Sequence, residues 1–177
     1  MKTGSKVALS GIVCALSMVC LLLTVLPTLT VALPVLAGAF LFVLVVECGV
    51  KWGFLGYLTV ALLSLLLAPS MESKLLFILF FGYYPIVKAL LERLHSKILS
   101  YGAKLLLFNG AMVIAYFLLM KVTSAVDTAD FMLFGVYLPW AILLFGNVVF
   151  LVYDVALTRV ISTYLRVWQP RLHKLLR

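Results

Sequence analysis

The sequence predicts an all-α, multi-pass membrane protein, a single domain (1–177) of six transmembrane helices with a short basic tail. Three observations lead there. Hydrophobic residues make up 66% of the 177 residues and charged residues only 11%, whereas a soluble domain carries about 25% charged residues. Mean hydropathy is +1.23. The apolar residues also fall into runs of span length, roughly 20 residues for about 30 Å of hydrocarbon. So few charges cannot coat a water-facing surface, which excludes a soluble enzyme, a disordered tail and a nucleic-acid module. Cys14, Cys20 and Cys48 lie in apolar runs without metal-ligand spacing, and their odd number argues against a closed disulfide framework.

Each span is bounded by its breakers. The first, 7–26, stops at Pro27-Thr28. The second, 30–46, ends at Glu47-Cys48-Gly49 with Lys51 beyond, and the third, 52–68, at Pro69-Ser70-Met71-Glu72. The fourth, 75–91, runs into the polar segment 92–100. The fifth, 103–120, ends at Lys121 before Asp127 and Asp130, and the sixth, 137–157, runs into the tail at about 159–177. The opening Met-Lys-Thr-Gly-Ser-Lys resembles a leader. The run behind it is span-length, however, and a valine precedes both Cys14 and Cys20 where processing needs a small residue, so it reads as an uncleaved first span.

Basic residues orient the chain. With the N-terminus in the cytoplasm, twelve fall on inner segments: Lys2, Lys6, Lys51, Lys88, Arg93, Lys97, Lys104, Arg159, Arg166, Arg171, Lys174 and Arg177. Lys74 and Lys121 fall outside. That positive-inside bias accounts for most of the +8 net charge and predicts that both termini are cytoplasmic. Trp52, Trp140 and Trp168 fall near the predicted interfaces, where amphipathic rings settle.

Small residues form two seams. Gly4, Ala8, Gly11 and Ala15 share one stripe of the first helix, and Gly49, Gly53 and Gly56 share one near the third. Such seams let helices approach closely, either inside the bundle or against a separate membrane subunit. In the fourth span, Phe80-Phe81-Gly82-Tyr83-Tyr84-Pro85 predicts a kink at 81–85, because proline removes a backbone donor. A broken helix with two phenols suits a ligand site; a structural kink with satisfied tyrosines is the alternative.

Polar residues inside a membrane are costly and informative. Glu47, Lys88 and Asp154 fall at similar inner depth, so Lys88 is expected to pair with Glu47, Asp154 or both. Asn147 is a candidate ligand group, and Asn109 a candidate interhelical hydrogen bond. Thr28, Thr30, Glu72, Lys74, Tyr116, Asp127, Asp130, Tyr137, Pro139 and Trp140 fall toward the outside, where aromatic walls with a few polar groups can form a pocket mouth. The tail, with Arg159, Arg166, Arg171, His173, Lys174 and Arg177 and no acid, reads as an interfacial segment touching anionic headgroups. No phosphate loop, zinc-protease motif or nucleophile elbow is present, and His95 and His173 sit in basic segments. No enzyme, cofactor or metal is expected.

Six spans, cytoplasmic termini and the seam in the first helix resemble the substrate-binding S components of energy-coupling factor (ECF) transporters. Those proteins carry an alanine-x-x-x-alanine stripe in their first helix, to which Gly11 and Ala15 correspond here, glycine replacing one alanine. The resemblance implies a bacterial cytoplasmic membrane protein that captures a vitamin-like small molecule from outside. The loop 27–30 would act as a lid. The first helix would dock through Ala8, Gly11 and Ala15 on a transmembrane coupling protein that carries ATPase subunits. By position, Thr28, Tyr83, Tyr84, Trp140 and Asn147 would stand near the ligand. The rival class is a non-transporting polytopic scaffold of cell-envelope assembly, similar to the rod-shape-determining membrane subunit; a membrane enzyme of unfamiliar type ranks third. Reporter fusions at either terminus and after Arg93 should all report the cytoplasm; an external signal from either end would overturn this topology.

Overall fold

Helix makes up most of every predicted span, and Gly49, Pro69 and Pro85 stand at helix boundaries. The computed structural model describes residues 2–93, 96–122, 132–133, 136–137 and 139–170. The helices are α1 Thr3–Leu22, α2 Ala32–Phe40, α3 Phe42–Cys48, α4 Val50–Leu67, α5 Met71–Leu76, α6 Tyr84–Leu91, α7 Lys97–Val122 and α8 Pro139–Thr163. Short 3₁₀ turns at Leu23–Val25 and Pro27–Leu29 follow α1, and π turns at Phe77–Phe81 and Tyr164–Trp168 follow α5 and α8. Five helical stretches are long and apolar enough to cross a membrane: Thr3–Val25, Val50–Leu67, Met71–Leu91, Lys97–Leu119 and Leu143–Trp168. The chain is an all-α, polytopic protein.

Two expected spans take a different form. The second is built as α2 and α3, offset at Leu41, where the Leu41 and Leu44 amides bond three residues back at 3.1 Å. The apolar stretch Ala32–Cys48 reaches about 25 Å at 1.5 Å per residue, a few ångströms short of the hydrocarbon. The sixth begins later than expected. Tyr137 lies in a two-residue strand, β2 Val136–Tyr137, paired antiparallel with β1 Met132–Leu133, and α8 starts at Pro139, a residue preorganised for a first helical turn.

The chain divides into two compact units, Met1–Leu107 and Phe108–Arg177, with the division inside α7. In the first, α1 packs on α2 and α4, α3 on α4, and the π turn on α2. Their core joins Val13, Leu21, Ala37, Leu41, Leu44, Val60, Ala61, Ala68 and Phe77. Gly49, at φ 95°, makes the turn between α3 and α4 that a side chain would strain. Side-chain hydroxyls tie neighbours through backbone carbonyls: Ser17 Oγ donates to Ala37 at 2.9 Å, and Ser73 Oγ to Thr30 at 2.7 Å.

In the second unit, Phe108 stacks on Phe150 with ring centroids 4.8 Å apart and planes at 8°. Asn109 and Asn147 exchange amide hydrogen bonds at 2.8 and 2.9 Å. These two pairs hold α7 against α8.

The two small-residue seams part company. Gly53 and Gly56 are buried, and a Cβ on either would come within 2.5 Å of Val45 or Leu44. Gly4, Ala8, Gly11 and Ala15 are all exposed, and a Cβ at Gly4 or Gly11 would meet nothing within 4 Å. Large apolar side chains are exposed on several helices, among them Leu66 at 82%, Leu106 at 75% and Leu144 at 70%. Water would not tolerate such surfaces; lipid does.

The tightest helix approach is at Gly38, where a Cβ would run into the Phe81 carbonyl. Gly38→Ala should therefore destabilise the protein in detergent by roughly 1–3 kcal/mol, the usual cost of overpacking. Gly11→Ala should be neutral or slightly stabilising in the same unfolding measurement.

Candidate functional site

The fourth span breaks where the sequence requires. Ser70 caps α5, its Oγ accepting from the Ser73 amide at 3.2 Å, and Glu72 lies in the first turn near the positive end of the helix. The ladder then widens: the Gly82 amide bonds the Phe77 carbonyl five residues back at 2.8 Å. Pro85, in the first turn of α6, cannot donate to the Phe81 carbonyl, and Ile86 reaches the Tyr83 carbonyl at 3.0 Å instead. The kink expected at 81–85 is thus a π turn followed by a fresh helix start.

An aromatic box surrounds this break. Tyr84 is fully buried with its ring centroid 4.9 Å from Phe80. Tyr83 is partly buried and meets Tyr57 edge-on at 5.9 Å. Tyr57, on α4, donates from its hydroxyl to the Ile78 carbonyl at 2.8 Å, satisfying a group inside the widened turn. Gly82 makes room for it, since a Cβ there would stand 2.7 Å from the Tyr57 ring. Tyr57 is the member that the sequence reading missed. Its only local signal is a lone phenol beside the buried Gly53 and Gly56.

A second cluster closes the inner end of α6. Lys88, only 1% exposed, forms an ion pair with Glu92 at 2.8 Å, and buried Lys104 of α7 reaches the same carboxylate at 3.2 Å. Lys104 also lies over the Tyr101 ring at 5.3 Å. A carboxylate at a helix C-terminus meets the negative end of the dipole; two ammonium groups offset that cost. Glu92 was missed as a partner, although its i,i+4 spacing from Lys88 was open to view. Of the residues expected to pair with Lys88, Glu47 lies on α3, which packs against α6, and Asp154 is buried on α8.

The remaining candidates are dispersed. Thr28 is exposed in the 3₁₀ turn Pro27–Leu29, and the carbonyl of nearby Thr30 is held by Ser73. In the second unit, Asn147 gives its amide to both Asn109 and the Leu143 carbonyl, at 2.9 and 2.8 Å. It is committed to holding α7 and α8 together, the role expected of Asn109. Trp140 belongs to the first turn of α8, and its side chain lies outside the described residues, as do His95, Asp127, Asp130 and His173. Among the described residues, no three His, Cys, Asp or Glu side chains gather as a metal site would require.

Compared with known proteins, the chain matches no protein family, no curated sequence and no solved structure.

The ion cluster makes a definite prediction. Glu92→Gln should lower stability by about 1–3 kcal/mol, between the values for exposed and buried pairs. In a Lys88→Met background the same change should cost less. Equal costs in a double-mutant cycle would show that Lys88 and Glu92 are not coupled.

Proposed function

We propose that this chain is a substrate-binding membrane subunit. It captures a vitamin-like small molecule and delivers it with a separate ATP-hydrolysing module. In this reading it sits in a bacterial cytoplasmic membrane with both termini inside, as an S component of an ECF transporter does. The observation that carries the reading is the fate of the two small-residue seams. One is consumed by internal packing; the other, Ala8, Gly11 and Ala15, faces outward along α1. Its opposite side carries Val13, Ser17 and Leu21 into the core. In lipid a seam of this kind lets a partner helix approach the backbone, and the coupling protein would be that partner.

The aromatic box at the broken fourth helix supplies the ligand-facing chemistry of this reading. Tyr83 offers a phenol at the edge of an apolar wall, and a planar ring stacks well against such walls. Two observations favour the alternative, a scaffold that gathers envelope enzymes without binding a metabolite. Tyr84 is wholly buried, and the Asn147 amide is already engaged. Both readings use the exposed seam; they differ in whether a small molecule is held.

Gly11→Leu combined with Ala15→Leu tests the proposal. Because the seam is exposed, the variant should fold and retain its ligand in native mass spectrometry, while uptake and copurification of an ATPase-bearing complex are abolished. Normal uptake would remove the docking role. Wild-type protein that brings down envelope enzymes and no metabolite would establish the scaffold.

A further inference from the structure

The last helix is too long for the membrane it crosses. Helical structure runs without interruption from Pro139 through the π turn to residue 170, roughly 48 Å at 1.5 Å per residue against about 30 Å of hydrocarbon. Its character changes part-way. From Leu143 to Leu157 large apolar side chains point outward along one broad side, opposite buried Phe150 and Leu157, as with Leu144 at 70%, Val148 at 59% and Val152 at 65% exposure. Beyond Thr158 the helix becomes two-faced. Arg159, Ser162, Thr163 and Arg166 fall on one side; Val160, Tyr164, Leu165 and Trp168 fall on the other.

Tyr164 on the apolar side is half-buried, but most of that side is open. Val160 is 50% exposed, Leu165 42% and Trp168 57%, and both arginines are exposed. No acid follows Asp154 in the sequence, whereas Arg171, Lys174 and Arg177 follow the two arginines. The backbone carries two devices that bend helices at this transition. Thr158 Oγ1 bonds back to the Asp154 carbonyl and Ser162 Oγ to the Thr158 carbonyl, each at 2.8 Å. The π turn Tyr164–Trp168 then interrupts the regular ladder.

We propose that α8 leaves the hydrocarbon near Thr158 and that its continuation lies on a bilayer leaflet rich in anionic phospholipid. Val160, Tyr164, Leu165 and Trp168 enter the headgroup–acyl boundary, and Arg159 and Arg166 meet the phosphates. Exposed apolar side chains opposite exposed arginines are what such a surface recognises. A zwitterionic surface would take the apolar side but offer no net charge to the arginines. The segment therefore senses leaflet composition, independently of any ligand or partner of the rest of the chain.

The test uses the full chain in nanodiscs of phosphatidylcholine, with or without phosphatidylglycerol. Replacing Trp52 and Trp140 by phenylalanine leaves Trp168 as the only tryptophan. With phosphatidylglycerol, its emission should shift to the blue and be quenched by lipids brominated high on the acyl chain. Arg159→Gln with Arg166→Gln should restore acrylamide access to Trp168, while lysine at both positions retains protection. Raised salt should weaken it. If the tryptophan replacements unfold the protein, amide exchange across 159–168 of the unaltered chain gives the same answer, slowing only in the anionic discs. Emission that ignores lipid charge overturns the proposal. So does quenching only by deeply brominated lipid, which would mean a helix that continues to span, or a Trp168 that stays aqueous on both surfaces, which would leave a protein as the partner.

Discussion

Pro85 has no amide hydrogen, and much of the first unit is arranged around that absence. In hydrocarbon no water can bond a carbonyl that a proline leaves behind, so neighbouring helices must come close or donate. Both happen. Gly38 brings the α2 backbone up to the Phe81 carbonyl, and the Tyr57 hydroxyl reaches the Ile78 carbonyl one turn earlier. Gly82 leaves the space that the Tyr57 ring fills. A break that would be a liability alone becomes the point where α2, α4 and the fourth span meet. Tyr83 thus stands beside a close-packed break in which the Ile78 carbonyl already has its donor.

Much of this was legible in the sequence, for physical reasons. Lipid forces apolar runs to become helices, so the spans could be read from length and hydropathy alone. Pro85 beside Gly82 marked the break, because the chemistry of proline is local. What could not be read was partnership. The stripes Gly4/Ala8/Gly11/Ala15 and Gly49/Gly53/Gly56 look alike on a helical wheel, and only packing decides which is buried. Glu92 was passed over because it lies just past the apolar run, although the i,i+4 rule pointed from Lys88 directly to it. The offset at Leu41 left no mark in composition, since 31–46 is apolar throughout; α2 packs chiefly on α1 and the π turn, α3 chiefly on α4.

Polar groups in the described residues serve structure more than they wait for ligands. Ser17, Tyr57 and Ser73 each spend a hydroxyl on the carbonyl of another element. Asn109 and Asn147 spend their amides on each other. This economy follows from the solvent: in a bilayer an unsatisfied hydroxyl costs more than in water, so hydroxyls and amides become fasteners. It also narrows the search for function. A group already bonded on both sides must break a contact to greet a ligand, whereas Tyr83 stands at the rim of the box.

Exposure carries a different meaning on each surface of such a protein. An exposed leucine on α4 is ordinary, because lipid is as apolar as its side chain. An exposed run of glycine and alanine on α1 is not, because lipid gains little from a shallow groove while a second helix gains close backbone contact. An exposed tryptophan opposite two arginines at the end of α8 is informative for a third reason, since it matches neither the acyl chains nor water alone. The same fractional exposure thus points to lipid, to a partner helix or to the headgroup layer according to which side chains share the face. Composition of the face, more than its accessibility, is what assigns the neighbour.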